Sequence, residues 1–234
     1  MQTGVEILQS LTVFVLGMVA RFGLFLAMLA VVVVPALAIA LIIRGRQVHR
    51  ERALGIREVD GVAFRPDLFY APGHLWLHRR GGGRGLEVGL DGIAQRLLPS
   101  VTAVDLARPG TRVARGDTVA TLHGGGRAVE IPAPIAGVVS GVNAAVLRDP
   151  GLVKREGYGR GWLLVMAAQD ESFGDLPRAA AAESWMRAEA HRWNRFVEER
   201  LGFAAADGGT LVAPAPWLVG EEGWRELTEA FLRP

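Results

Sequence analysis

The sequence predicts a mainly β domain that follows a single N-terminal transmembrane helix and precedes C-terminal helices. Residues 22–43 contain no charged side chain, residues 61–168 form short β-rich runs separated by Gly and Pro, and residues 177–201 repeat apolar side chains every three or four positions. These patterns divide the chain into an apolar N-terminal segment on the non-cytoplasmic side or in the interface (1–21), a transmembrane helix (22–43), a basic juxtamembrane linker (44–60), a β domain (61–168) and a helical extension (169–234).

The composition limits the chemistry that the chain can perform. Half of its 234 residues are hydrophobic, which is enough for a core, and it has no cysteine. Disulfides, thiolate nucleophiles and cysteine-ligated metal sites are therefore excluded. The net charge of +2 gives no indication of nucleic-acid binding. Lys154 is the only lysine in the chain.

The uncharged run at 22–43 is long enough to cross a bilayer, because a helix of this length spans roughly 33 Å. Pro35 lies inside the run, and membrane helices tolerate proline. A signal peptide is the alternative, but its apolar region would be shorter and would end at small residues rather than at Arg44. We therefore expect a retained membrane anchor.

The arginines predict the orientation of this anchor. Arg21 is the only basic residue before the run, whereas four arginines follow it closely. The positive-inside tendency places the N-terminus outside and residues 44–234 in the cytoplasm, at the inner membrane. Residues 5–20 either lie in the interface or extend the helix. The arginines expected at the membrane interface are Arg21, Arg44, Arg46, Arg50 and Arg52.

The β domain contains a hairpin with a glycine-rich tip. Residues 121–137, TLHGGGRAVEIPAPIAG, are typical of a strand, a tight turn and a second strand. Many short strands at this spacing indicate a barrel or a sandwich. A short helix fits residues 91–98, where Asp91 can cap the first turn.

Five ordered segments within residues 69–168 resemble the H-protein of the glycine cleavage system, a relative of lipoyl and biotinyl carrier domains. The segments are FYAPGHLWLH, VGLDGIAQRLL, VDLARPGTRVARGDTVATL, PAPIAGVVSGVN and DPGLVKREGYGRGWLLVM. The resemblance implies a barrel-sandwich hybrid, in which two small sheets carry the hairpin at one end. In working members of the family, the hairpin tip carries a lysine that holds lipoate.

The resemblance places this lysine position on Gly126, with Arg127 beside it and His123 where the family has a glutamate. An arginine guanidinium stays protonated, so it cannot be acylated by lipoate as a lysine amine can. Lys154 matches a helix position away from the tip in the family pattern. We therefore expect a degenerate lipoyl site, with no lipoylation and no cofactor.

Catalytic and metal sites have weaker support. The motif HGGG at 123–126 resembles an oxyanion-hole loop of some esterases, but the chain has no Gly-x-Ser-x-Gly motif. His74 and His78 are expected on a partly exposed strand face, without an obvious carboxylate partner. We predict no catalytic residue, no metal ligand and no enzymatic activity.

The amphipathic helix at 177–201 must bury its apolar stripe. It packs either on its own β domain or on a partner protein, because the core of the resembled family is complete without it. The side chains that are candidates for partner docking are Trp185, Met186, Trp193 and Phe196.

These features indicate a non-catalytic, membrane-anchored accessory subunit that stabilises a larger membrane complex. Its expected partners are the lipid bilayer and integral membrane subunits, with photosynthetic or respiratory electron transfer as the first candidate. The alternative is a tethered carrier or regulator that docks onto lipoyl-using or redox enzymes.

Overall fold

The computed structural model describes residues 2–81, 85–98, 100–201 and 219–233. It divides the chain into two compact units, residues 1–53 and residues 54–234. The sequence predicts a turn at the glycine-rich residues 81–85 and a loop at residues 203–216, which are rich in Ala, Gly and Pro. Residues 82–84 and all of 203–216 lie outside the described residues.

The first unit consists of one helix, α1 (Gln2–Ala53). Its stretch Phe14–Gly45 is long and apolar enough to cross a membrane, judged by length and composition. Residues 5–20 extend the helix, which is one of the two alternatives predicted for them. The basic segment also stays helical as far as Ala53, because it is rich in Arg, Gln and Glu and has no proline. Gly55, with φ +66°, follows the end of the helix.

The second unit is rich in short antiparallel strands, as predicted. Its described strands are β1 (Arg57–Val59), β2 (Val62–Phe64), β3 (Phe69–Ala71), β4 (Leu75–Arg79), β5 (Gly85–Leu90), β6 (Ala103–Leu106), β7 (Arg112–Val113), β8 (Thr118–Gly124), β9 (Arg127–Pro132), β10 (Gly137–Val142) and β11 (Leu164–Ala168). One sheet has the order β3-β4-β5-β11-β10-β7, a second has the order β6-β8-β9, and β1 pairs with β2. Together they form the mainly β domain expected from the sequence.

The core of this unit depends on one large aromatic side chain in β4. Trp76 is 1% exposed and lies opposite Gly89 of β5 in the strand register. A Cβ atom on Gly89 would lie 2.4 Å from Cζ2 of the Trp76 ring, so only glycine leaves room for the indole. Trp76 Nε1 donates a hydrogen bond to the carbonyl of Gly157 at 3.2 Å, which satisfies its one polar atom.

Short helices connect the strands. They are α2 (Gly92–Leu97), α3 (Ala144–Arg148) and α4 (Leu152–Arg155), followed by a 3-10 turn (Ser172–Asp175). Asp91 caps α2 as predicted, because its Oδ1 accepts hydrogen bonds from the amides of Ile93 at 2.9 Å and Ala94 at 3.0 Å.

Two longer helices, α5 (Ala180–Leu201) and α6 (Glu221–Phe231), follow the β domain. Helix α5 begins at Ala180 rather than at residue 177, because residues 177–179 run beside β3. The carbonyl of Pro177 accepts a hydrogen bond from the amide of Tyr70 at 3.0 Å, and the amide of Ala179 donates to Pro66 at 2.9 Å.

The apolar stripe of α5 packs on its own domain. Met186 and Trp193 are 0% exposed and belong to the core of the second unit. The Trp185 ring lies 5.7 Å from that of Tyr70. The four residues considered as partner-docking candidates, Trp185, Met186, Trp193 and Phe196, therefore already have intramolecular contacts. This corrects the docking interpretation in favour of the alternative, since burying the stripe against the β domain removes it from water.

Candidate functional site

The apex of the β8–β9 hairpin is a two-residue turn. Gly124 pairs with Arg127 in the strand register, which leaves Gly125 and Gly126 at the apex. Their φ angles are +60° and +75°, in the left-handed region that type I′ hairpin turns require. The position to which the sequence assigns the lipoyl lysine is therefore occupied by a turn glycine, and Gly126 is exposed.

The third glycine of the tip has a different physical role. A Cβ atom on Gly124 would lie 1.7 Å from the carbonyl oxygen of Ser100, so the hairpin approaches that backbone too closely for any side chain. At Gly126, by contrast, an added Cβ would meet no atom within 4 Å. The motif HGGG is thus explained by turn geometry and close packing, without any oxyanion chemistry.

His123 forms a partly exposed pair with a neighbouring strand. Its Nε2 lies 2.8 Å from Oδ2 of Asp105 on β6, and 39% of its side chain is exposed. The hydroxyl of Thr102 donates to the backbone carbonyl of His123 at 3.2 Å rather than to the ring. No nucleophile therefore contacts this His–Asp pair in the described part of the chain, which argues against nucleophilic catalysis there.

Arg127 connects the hairpin to the C-terminal helix. Its Nη2 donates a hydrogen bond to the carbonyl of Val219 at 2.7 Å, and its Cζ lies 4.8 Å from the centre of the Trp224 ring. A second contact follows along β9, where Glu130 pairs with Arg233 at 2.7 Å. The side chain that follows Gly126 thus holds α6.

An aromatic cluster holds the far end of α6. The ring of Phe231 lies 5.0 Å from that of Trp193, 5.4 Å from that of Phe196 and 5.8 Å from that of His74. The guanidinium of Arg192 lies 4.2 Å from the Phe231 ring and donates to the carbonyl of Ala230 at 3.0 Å. Helix α6 is therefore fixed at both ends, on the hairpin and on α5.

His74 is buried, contrary to the prediction of a partly exposed strand face. It lies in the turn before β4 with φ +56°, and it is 1% exposed. Its Nδ1 lies 2.9 Å from Oδ2 of Asp91, and its Nε2 lies 3.5 Å from Oε2 of Glu189 on α5. These carboxylate partners are not obvious from the sequence, because folding brings in acidic residues that are 17 and 115 positions away.

His78 lies on β4, and 40% of its side chain is exposed. It is 3.6 Å from Glu87 of β5, a carboxylate that the sequence did not identify as its partner. Among the described residues, no group of three or more His, Asp or Glu side chains is placed to hold a metal ion. These two histidines thus have separate local partners.

Lys154 lies on α4, not on the hairpin. Its Nζ donates a hydrogen bond to the carbonyl of Leu98 at the end of α2. Burial lowers the pKa of its ammonium below the usual value, because a partly dehydrated site disfavours the charged form. The only lysine of the chain is thus engaged in packing between short helices.

The partners of Arg127 were not identified from the sequence. Val219 and Trp224 lie about a hundred residues beyond Arg127, so no local pattern in the sequence connects them with the hairpin. Asp91 was predicted as a cap, but its second role as the partner of His74 has no local signal in the sequence.

Comparison with known proteins gives consistent matches to the β domain. Residues 68–189 match the protein family described as Glycine cleavage H-protein. A probable glycine cleavage system H protein 2 from Sulfurisphaera tokodaii is 40% identical over 100 residues, which cover 42% of this chain and 68% of the relative. The glycine cleavage system H protein of Citrobacter koseri is 37% identical over 124 residues, which cover 53% of this chain and 95% of the relative.

A solved structure, that of a glycine cleavage system H protein from Mycobacterium marinum, aligns with a TM-score of 0.45 and 21% identity, over 53% of this chain and 99% of that chain. The family match begins after α1 and ends within α5, so α1 and α6 lie outside it.

Proposed function

Because the chain belongs to the glycine cleavage H-protein family, a family of carrier domains, we propose that it is a member without a lipoyl site that acts as an accessory subunit of a membrane complex. In this role it is non-catalytic, its β domain lies in the cytoplasm, and α1 anchors it in the inner membrane. Its partners are integral membrane subunits, with electron-transfer complexes as the first candidate.

The observation that carries this proposal is the structure of the hairpin apex. A carrier needs a nucleophilic amine on an exposed tip, and this apex has two glycines in left-handed conformation. The next side chain, Arg127, is held by Val219 and Trp224. A hairpin that presents no amine and supports a helix instead serves as a rigid platform.

The anchoring part of the proposal is supported by α1. Its stretch Phe14–Gly45 is apolar, and the large hydrophobic side chains described there are about half exposed or more within the chain. Such a surface is stable in lipid or against other membrane helices rather than in water. Arg44 and Arg52, both exposed, lie beyond the apolar run, as the positive-inside tendency requires for a cytoplasmic domain.

Intact mass tests the loss of the carrier function. The full chain is purified from cells that contain an active lipoyl ligase, and an H-protein produced in the same cells is the positive control. We expect a lipoyl increment on the control and none on this chain. A covalent lipoyl group on Lys154, or elsewhere in the chain, would refute the proposal.

Co-purification tests the accessory role. The tagged full chain is solubilised in mild detergent and isolated together with its partners. Stoichiometric recovery with integral membrane subunits supports the accessory role, and recovery of the chain alone contradicts it.

A second candidate is a tethered regulator that docks onto lipoyl-using or redox enzymes. Identities of 37–40% to glycine cleavage system H proteins favour it, because a docking surface can persist after the carrier lysine is lost. Recovery of soluble dehydrogenase or aminomethyl-transfer components in the same purification would support this candidate over the first.

A further inference from the structure

The segment that joins β6 to β8 carries three exposed arginines. This segment, residues 107–117, includes the short strand β7 and is called here the arginine loop. Arg108, Arg112 and Arg115 are all exposed, and the loop contains a single carboxylate, Asp117. Its local charge is therefore strongly positive, although the whole chain has a net charge of only +2.

These three arginines have no carboxylate partner, unlike three exposed arginines elsewhere in the domain. Arg79 pairs with Glu171 at 2.6 Å, Arg155 with Asp149 at 2.5 Å and Arg160 with Glu156 at 3.5 Å. Within the described ranges, Arg108, Arg112 and Arg115 have no ion-pair partner. Asp117 does not reach them, because its Oδ2 accepts a hydrogen bond from the amide of Ala114 at 2.7 Å.

The backbone of the arginine loop is rigidly held. The amide of Gly110 donates to Val139 at 2.7 Å, and the amide of Val139 donates back to Thr111 at 2.9 Å. At the other end, Gly116 donates to Ala133 at 2.9 Å, and Ala133 donates to Asp117 at 2.7 Å. The charges are thus presented on an ordered surface, so a partner need not pay for ordering the backbone on binding.

We propose that the arginine loop is a contact surface for the phosphate headgroups of an anionic bilayer. The proposal rests on the membrane anchoring put forward above. A guanidinium binds phosphate oxygens through two hydrogen bonds, and a tether to the same membrane raises the local concentration of headgroups. The loop contains no aromatic residue, and its one valine, Val113, is buried. It therefore lacks the stacking groups of nucleic-acid sites and the apolar anchors of protein interfaces.

The strength of this contact follows from the charge count. Each basic residue near an anionic surface contributes about fivefold to binding, so three arginines contribute on the order of a hundredfold at low salt. Salt shortens the screening length from about 8 Å at physiological strength to about 3 Å at 1 M, so the contact is lost as salt is raised.

A single-cysteine reporter tests the proposal, because the chain has no native cysteine. Thr111→Cys places a fluorophore at an exposed position of the arginine loop. The full chain is reconstituted in lipid nanodiscs that carry a spin-labelled headgroup quencher. One set of discs contains phosphatidylcholine only, and the other also contains phosphatidylglycerol. We expect strong quenching in the anionic discs, weak quenching in the neutral discs, and loss of the difference at about 1 M salt.

Two charge-matched variants provide the controls. The loop variant should abolish the quenching in anionic discs; it combines Arg108→Gln, Arg112→Gln and Arg115→Gln. The same number of substitutions at Arg79, Arg155 and Arg160 should leave it unchanged, and equal thermal unfolding confirms that both variants fold. Quenching that is equal in the two lipids, absent from both, or retained after the loop substitutions would overturn the proposal.

Co-elution of the chain with the disc reports on the anchor separately. A chain that co-elutes with an unquenched reporter overturns the loop contact but not the anchoring. A chain that does not co-elute overturns both, because the loop is proposed to act on the membrane to which α1 holds it.

Discussion

Truncation of Phe231 should release the C-terminal end of α6 from α5. Phe231 is 0% exposed and packs against the rings of Trp193 and Phe196, with the Arg192 guanidinium at 4.2 Å from its ring. Replacing a buried phenylalanine by alanine costs about 3–5 kcal/mol, a range that includes its ring contacts. An isolated helix of 11 residues is unstable in water, so α6 depends on this packing for its structure.

Amide hydrogen exchange of the full chain in detergent measures this effect. We expect Phe231→Ala to reduce the protection of the α6 amides by about a hundredfold to a few thousandfold, since about 1.4 kcal/mol corresponds to tenfold. Protection of the strands around Trp76 should change much less, because the close contact of Trp76 with Gly89 and its hydrogen bond to Gly157 do not involve α6.

Glu229→Ala is the matched control, since Glu229 is exposed on the same helix and should leave protection nearly unchanged. A loss of less than tenfold for Phe231→Ala would refute the reasoning that this ring holds α6 on the domain. An equal loss for both variants would show that α6 responds to any substitution, and would also contradict it.

Three further predictions concern the hairpin and the lysine. Gly124→Ala should destabilise the fold by about 2–4 kcal/mol in urea unfolding, because its Cβ would clash with Ser100. The control Gly141→Ala has open space around its Cβ and should change stability by less than about 1 kcal/mol. Equal effects of the two substitutions would contradict the close approach of Gly124 to Ser100. Gly126→Lys should lower the free energy of unfolding by about 1–2 kcal/mol, because the position has a left-handed backbone. It should also make the chain a substrate for lipoyl ligase, detected as a mass increase of the intact chain, since the added Cβ meets no atom within 4 Å. An unmodified variant would show that the amine is not the only missing feature. Burial lowers the pKa of Lys154, so between that lowered pKa and the ordinary value of 10.5 the unfolded chain binds more protons than the folded chain. The free energy of unfolding should therefore rise with pH in this window in the wild type but not in Lys154→Met. Parallel stability–pH curves for the two proteins would contradict this.

Much of the β domain is readable from local sequence. The hairpin predicted at 121–137 is formed by β8 and β9, because β-rich runs on either side of a glycine turn encode a hairpin within a few positions. The cap at Asp91 is equally local. The predicted apex at Gly126 is also a consequence of short-range turn chemistry, and the structure places a tight turn there.

The contacts between distant segments are not readable in this way. The pairing of His74 with Asp91 and Glu189 requires a turn, a helix cap and a C-terminal helix to meet. Periodicity predicts an apolar stripe on α5, but the same stripe fits a partner protein as well as its own domain. Only the packing around Trp193 decides between them, because hydrophobic burial is non-directional and periodicity does not specify the covering surface.

The sequence by itself determined the apolar helix, the strand-rich domain, the missing lysine at the hairpin tip and the absence of cysteine. Each of these is a property of residue type at a position, so it needs no knowledge of neighbours in space. The tertiary structure alone decided that Arg127 holds α6, that His74 is buried between carboxylates and that three loop arginines have no carboxylate partner in the described ranges. These features depend on which side chains meet across long sequence separations, and that is set by packing of the whole domain.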